Sequence, residues 1–251
     1  MRGATSFAHP AASPAPAPLD GAARRFTALD VAMLATFALL VAGHIVSAIG
    51  RFGWVSAAVT VGLTALALLG LALRRAWRPL LLRLLAFGLV AGVCELFTDY
   101  SGEVVAHSLS YPPGEPMLWA SPIYMPISWM VVLTQIGYLA WRLAGLTTPV
   151  PHPSRSLPWL AMALTGLWGA LNIPFYEEMA WHAGWWSYAH ARSLGHTPYY
   201  VLLFEGLLAL ALPPLLAGIE RRSLRATLLR GLALGVWIPC AALAAWLLLG
   251  R

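Results

Sequence analysis

Charge is scarce in this sequence. Of its 251 residues only 10% are Asp, Glu, Lys or Arg, against 59% that are hydrophobic. A water-soluble domain of this length needs more charge than that to cover its surface, so lipid is the expected solvent for most of the chain. Lysine is missing altogether, and all 16 basic residues are arginine. Cysteine is nearly missing: Cys94 and Cys240 lie far apart in apolar stretches and outside any CxxC or Cys/His arrangement, which reads as inert, buried thiols. There is no GxSxG, no HExxH, no P-loop or dinucleotide fingerprint, and no set of histidine boxes like those of membrane desaturases. Nucleophilic hydrolysis and nucleotide binding are left without their usual signatures.

What is present is long apolar runs. Runs near 28–50, 54–73, 79–108, 119–146, 157–182, 198–219 and 229–249 each approach the length that about 30 Å of hydrocarbon demands of a helix, roughly 20 residues. The expected fold is all-α, a polytopic transmembrane bundle of about seven spans. Residues 1–26, rich in Ala, Pro, Ser and Gly, read as a disordered cytoplasmic tail, and 27–251 as a single transmembrane domain. The net charge of +6 would suit a nucleic-acid partner if the arginines were spread over one surface, but they flank the spans instead. Thirteen fall before the first span or around the turns that follow the second, fourth and sixth; only Arg51, Arg192 and Arg251 fall on the other side. The positive-inside rule then puts the N-terminus in the cytoplasm and the C-terminus outside, in what reads as a bacterial cytoplasmic membrane, with anionic lipid as a partner of the arginine-rich face and no nucleic acid.

The few acids are placed unusually. An acidic residue inside a span costs at least a few kcal/mol and therefore tends to face a protein interior or a wet cavity. Glu95, Asp99, Glu103 and His107 follow one another at four-residue steps in the third span, a spacing that puts them on one helical face. The fifth span carries Glu177, Glu178 and His182 near its outer end, and the sixth carries Glu205 below its outer start. Three helices thus hold acids at one depth. Aromatic residues crowd the same layer, and Trp119, Trp185, Trp186, Tyr199 and Tyr200 also suit an interfacial belt. Two consecutive hairpins share a pattern: acids on a helix, a tyrosine-bearing outer loop, then Pro122 and Tyr124 or Pro198, Tyr199 and Tyr200 opening the next helix. Duplication and coincidence both account for it.

A cavity of carboxyls and rings suits acid-initiated chemistry on an isoprenoid. A desolvated carboxylic acid delivers a proton to an alkene, aromatic faces stabilise the carbocation, and a second carboxylate removes a proton or activates water. The expected catalytic residues are Glu95, Asp99, Glu178 and Glu205, with Glu95 or Asp99 as donor and Glu178 or Glu205 as base. The expected substrate wall is Tyr124, Trp129, Trp181, Trp185, Tyr188 and Tyr199. The stretches YPPGEPMLWASPIYMPISW (111–129) and WWSYAHARSLGHTPYYVLLFEG (185–206) resemble the two outer regions of integral membrane carotenoid hydratases, although Pro113, Gly114 and Glu115 stand in place of that family's Phe-Gly loop signature. Small seven-helix membrane terpene cyclases of the fungal type are similar in size and in having intramembrane acids. Both resemblances imply a lipid-soluble isoprenoid substrate, hydration or cyclisation as the reaction, and no cofactor. Two other readings stay open. In one, Glu95, Asp99, Glu103, His107, Glu178 and His182, with His44, ligate iron, manganese or zinc in an oxidase or hydroxylase. In the other the acids form a proton or cation path in a transporter or a membrane assembly subunit, which acids confined to one half of the bilayer disfavour.

Overall fold

The computed structural model describes residues 26–147 and 158–250; most of the expected tail, together with Arg155 and Arg251, lies outside the described residues. The chain is all-α with short strands at one end. In order, α1 is Ala28–Gly50, α2 Trp54–Ala72, α3 Arg78–Tyr100, α4 Met125–Thr147, α5 Pro158–Ala183, α6 Tyr199–Leu210, α7 Leu212–Leu216 and α8 Leu224–Leu249. Among the described residues, five segments are long and apolar enough to cross a membrane: α1, α2, α3 with the turn that extends it, α6 and α7 taken together, and α8. Helices α4 and α5 have the length, at 23 and 26 residues. Their hydropathy is lowered by Gln135, Tyr138 and Arg142 in the first and by Asn172, Tyr176, Glu177, Glu178 and His182 in the second.

Glycine sets how closely the helices approach. On α3, Gly88 and Gly92 face the backbone of α4 at Met130 and Pro126. On α5, Gly166 and Gly169 face the backbone of α6 at Gly206 and Glu205. Helix α8 meets the other side of α3 through Gly231 and Gly235, against Phe87 and Cys94. In a bilayer, where apolar side chains gain little by leaving lipid, such small-residue contacts are what let helices associate closely. Cys94 is half-buried in this seam, while Cys240 is exposed on the outer face of α8, so the expectation of two buried thiols fails for Cys240.

The arginine-rich end is fastened by a buried ion pair. Thr27 and Asp30 form a capping box at the start of α1. Asp30 also accepts from the Tyr138 hydroxyl at 2.7 Å and pairs with Arg142 at 2.9 Å, tying α1 to α4. At the same end, Arg83 donates to the Arg222 carbonyl, joining α3 to the turn before α8.

The opposite end carries six two-residue strands, which the hydrophobic pattern did not announce. After α3 come β1 (Leu109–Ser110) and the hairpin β2 (Met117–Leu118) and β3 (Ser121–Pro122). After α5 come β4 (Ser187–Tyr188) and the hairpin β5 (Ser193–Leu194) and β6 (Thr197–Pro198). The helix, strand, hairpin, helix order therefore occurs twice. The two copies meet where β1 pairs antiparallel with β4, Leu109 opposite Tyr188 and Ser110 opposite Ser187. Each hairpin turn has a residue of positive φ, Trp119 at 61° and Gly195 at 59°. Each ends in the same short motif, Ser121-Pro122-x-Tyr124 and Thr197-Pro198-x-Tyr200.

One expected element is shortened. Helix α3 ends at Tyr100 and continues as a π-helical turn over Ser101–Val105. The wider turn breaks the four-residue step after Asp99: Glu103 is only half-buried, and His107, at φ 51°, has left the helix and is exposed. The single acidic face expected from Glu95 to His107 thus stops at Asp99.

The glycine seam gives a direct test. A Cβ on Gly92 would stand 2.6 Å from the Pro126 carbonyl oxygen and 2.9 Å from the Trp129 Cβ, atoms that cannot move without moving α4. Gly92→Leu is expected to lower stability by about 3 kcal/mol or to prevent folding. Gly62→Leu, at a glycine with open space around it, is expected to be nearly neutral. Thermal unfolding of the purified proteins in one detergent checks both.

Candidate functional site

A cavity of about 160 Å³ opens between the two repeated units, just below the β1–β4 pair. Four carboxyl side chains line it: Glu95 and Asp99 from α3, Glu177 from α5 and Glu205 from α6. All four residues are at most 8% exposed. Among the described residues no arginine lines the cavity, and His44 from α1 is the one lining residue able to carry a positive charge. The ionised forms of four such groups, buried without a cation, would cost on the order of tens of kcal/mol. The set has to share protons or take up a cation.

The strands at this end supply the donors that make part of the set affordable. Tyr111, just past β1, donates to Asp99 Oδ2 at 2.7 Å, and Ser121 of β3 donates to the same oxygen at 2.5 Å. Tyr188 of β4 donates to Glu177 Oε1 at 3.2 Å, and the Trp186 indole donates to Oε2 at 2.7 Å. Each repeated unit therefore holds one helix acid by a tyrosine from its own outer loop. Burial raises both phenols well above the usual range, and the neighbouring carboxyls push further, Asp99 and Glu95 on Tyr111 and Glu177 on Tyr188. Both stay protonated and donate. Glu95 differs: it is 2% exposed, its Oε2 meets no hydrogen-bond partner, and its neighbours are Asp99, Glu205 and Trp129. Between the acids the wall is aromatic, formed by Trp129, Tyr176, Trp186, Tyr188, Tyr200 and Phe204.

Of the expected catalytic residues, Glu95, Asp99 and Glu205 are brought together and Glu178 is not. Its side chain is 37% exposed and sits between His182 and His196, at 3.2 and 2.9 Å. The four-residue step to His182 does make the bond it predicted, but on the far face of α5; the next residue back, Glu177, is the one that enters the cavity. Of the expected substrate wall, Trp129 and Tyr188 line the cavity. Trp181 stands outside, stacked on the His196 ring at 3.7 Å between centroids. Trp185 is wholly buried elsewhere, donating at 3.0 Å to the Gly53 carbonyl and the Ser56 hydroxyl, and so fastens the end of α5 to the α1–α2 turn. Tyr199 points outward and Tyr124 packs away from the cavity, against Glu115. In each doublet of this second unit the cavity takes the neighbour of the expected residue: Glu177 rather than Glu178, Trp186 rather than Trp185, and Tyr200 rather than Tyr199. The expected metal ligands do not converge either. Glu103 and His107 leave the face of Glu95 and Asp99, and Glu178 and His182 lie outside the cavity. Among the described residues, no group of three or more His, Cys, Asp or Glu is arranged to hold a metal ion.

Residues 96–249 match a domain of unknown function, DUF6989. The chain belongs to the DUF6989 family. The matched segment takes in both repeated loop regions and α4 to α8, and with them Asp99, Glu177, Glu205 and the cavity tyrosines. Glu95 and His44 lie before it, so in this member the cavity is completed from outside the DUF6989 segment. No curated protein and no solved structure matches the chain.

One more acid lies under the roof. Glu115, in the loop between β1 and β2, is 7% exposed, and neither of its oxygens has a hydrogen bond of ordinary geometry. The Ile123 amide donates to the Pro116 carbonyl at 2.9 Å and closes the loop around it. Burial pushes this carboxyl up to about 7, with the nearby Tyr124 hydroxyl offsetting part of the shift. The folded protein therefore keeps a proton that the unfolded chain gives up near the ordinary value of 4.5. Stability should fall as pH rises from 4.5 to 7 and level off above it. Glu115→Gln is expected to remove that slope and to be more stable than the parent above pH 7, as read by thermal unfolding across the pH series.

Proposed function

We propose that this protein is an integral membrane enzyme that acts on an isoprenoid or carotenoid-type lipid by acid-initiated hydration or cyclisation. In this reading all seven helical segments, counting α6 and α7 as one, cross a bacterial cytoplasmic membrane, with the N-terminus in the cytoplasm and the C-terminus outside. The observation that carries the proposal is a set of four carboxyls in one cavity, walled by aromatic rings and, among the described residues, free of arginine. Such a set suits a reaction that begins with a proton and passes through a cation.

The residues divide the work by what already binds them. Glu95 Oε2, without a partner, is placed to give its proton to an alkene carbon. Asp99 already accepts two hydroxyl protons on one oxygen, which suits it to hold negative charge beside the donor rather than to donate. The faces of Trp129, Tyr176 and Phe204 meet the carbocation, and a desolvated cation–π contact of this kind stabilises by about 2 kcal/mol. Glu205, which comes from α6 in the other repeated unit, accepts a proton from the cation or from a water that adds to it. Glu177, fixed by Trp186 and Tyr188, orients the wall between them. At about 160 Å³ the cavity suits one end group of a long polyene rather than its whole length.

Mass spectrometry of lipid extracts tests this. A polyprenoid-accumulating host expressing the protein should form a new product, heavier by one water for a hydratase and of unchanged mass for a cyclase. Glu95→Gln should lower its yield by 100-fold or more, in the range for loss of a general acid. Glu178→Gln, outside the cavity, should leave the yield within a few-fold. Extracts that are identical with and without the protein would sink the proposal.

A further inference from the structure

His44 is the one imidazole along the cavity wall among the described residues, and the mechanism above does not use it. It is 6% exposed, and it comes from α1, outside the DUF6989 segment. Its Nδ1 lies 2.8 Å from the Leu40 carbonyl oxygen in the preceding turn of α1. A carbonyl only accepts, so Nδ1 carries the proton. That leaves Nε2 with its lone pair, in a residue that lines the carboxyl cavity. The ring is clamped edge-on by Tyr176 and Trp185, each 4.7 Å away between centroids, and Trp185 is itself fixed by Gly53 and Ser56. An imidazole anchored through one nitrogen and open at the other is a pre-aimed base.

We propose that His44 Nε2 is the proton acceptor that ends the reaction. The assignment rests on the reading under Proposed function and replaces Glu205 in the accepting role. Charge decides between them. For Glu205 to accept, it must already be ionised in a cavity that holds three other carboxyls. Neutral His44 accepts without any prior ionisation. The Glu95 O–H bond breaks as a C–H bond forms on one alkene carbon, and the neighbouring carbon becomes the cation. A C–H bond next to that cation then breaks, its electron pair becomes the new C=C bond, and the proton goes to Nε2. Where water adds first, the proton comes from the added water instead. The cavity ends the turnover holding one carboxylate and one imidazolium, and its net charge is the same before and after. Transfer of the proton from His44 back to Glu95 restores both, and neither oxidant nor reductant is needed.

The deciding variant is His44→Asn. The asparagine amide nitrogen takes the place of Nδ1 and can still donate to the Leu40 carbonyl, while nothing takes the place of Nε2. In the same expression host, His44→Asn should form product about 100-fold less than the parent, while unfolding at a similar temperature. A purely structural histidine would leave product formation nearly unchanged in this variant, and that result overturns the assignment alone. An inactive parent protein overturns the isoprenoid reading and this assignment together. If His44→Asn does not fold, nitrogen NMR of the parent, labelled with ¹⁵N-histidine in detergent, decides. A neutral ring protonated at Nδ1 supports the assignment, and one protonated at Nε2 overturns it.

Discussion

A carboxyl drawn into a helix bundle has to meet a hydrogen-bond donor or keep its proton, and here four of them share one small space with no arginine. Most of what surrounds the cavity can be understood as an answer to that constraint. Two tyrosines, a serine and an indole are delivered to Asp99 and Glu177 from strands only two residues long or from the residues beside them. Those strands have little stability of their own, since isolated pairs of this size are marginal in water. They persist because each run of three strands is held between two helices that the glycine seams keep close. Packing at the middle of the bundle thus fixes hydrogen bonding at its end.

The doubled order of helix, strand, hairpin and helix gives the cavity its two-sided character. Each unit brings a helix acid and a tyrosine that reaches it, Asp99 with Tyr111 and Glu177 with Tyr188. Positions seven residues beyond the two motif prolines, Trp129 and Glu205, both line the cavity but differ in chemistry. A symmetric frame has in this way become an asymmetric site, with Glu95, whose Oε2 has no hydrogen-bond partner among the described residues, coming from one unit and Glu205 from the other. The first two helices stand outside the frame, and α1 adds the imidazole.

Much of the bundle is legible from residues alone, because most of its helices are long and apolar and are set off by arginine, glycine or proline. The depth of the acids is legible too, since a helix rises by a fixed step per residue, and Glu95, Asp99 and Glu205 do meet. Rotation about the axis is harder to read. Neighbouring residues on a helix differ by about 100°, and a doublet such as Glu177 and Glu178 offers no apolar contrast to say which member faces inward. Spacing to His182 favoured Glu178, and that bond exists, on the wrong face. The β1–β4 pair was unreadable for a different reason: two residues are too few to show alternation, and the pairing partners lie far away in the chain, Ser187 being 77 residues beyond Ser110. The π-helical turn leaves no compositional mark at all.

That turn has an evolutionary corollary. A π-helical turn holds one residue more than the α-helix needs, and it arises most simply from a single insertion. Between Asp99 and the tyrosine that reaches it, the backbone count over Ser101–Val105 matters more than the side chains, none of which is buried. Apart from Gly102, where an added Cβ would stand 3.3 Å from the Leu109 Cβ, substitutions there should be tolerated. Removing one residue would regularise the helix, swing everything beyond it by about 100°, and carry Tyr111 away from its acid. The segment is thus tolerant of spelling and intolerant of length, so gaps in this turn, more than changes of letter, would mark relatives that have given up this site.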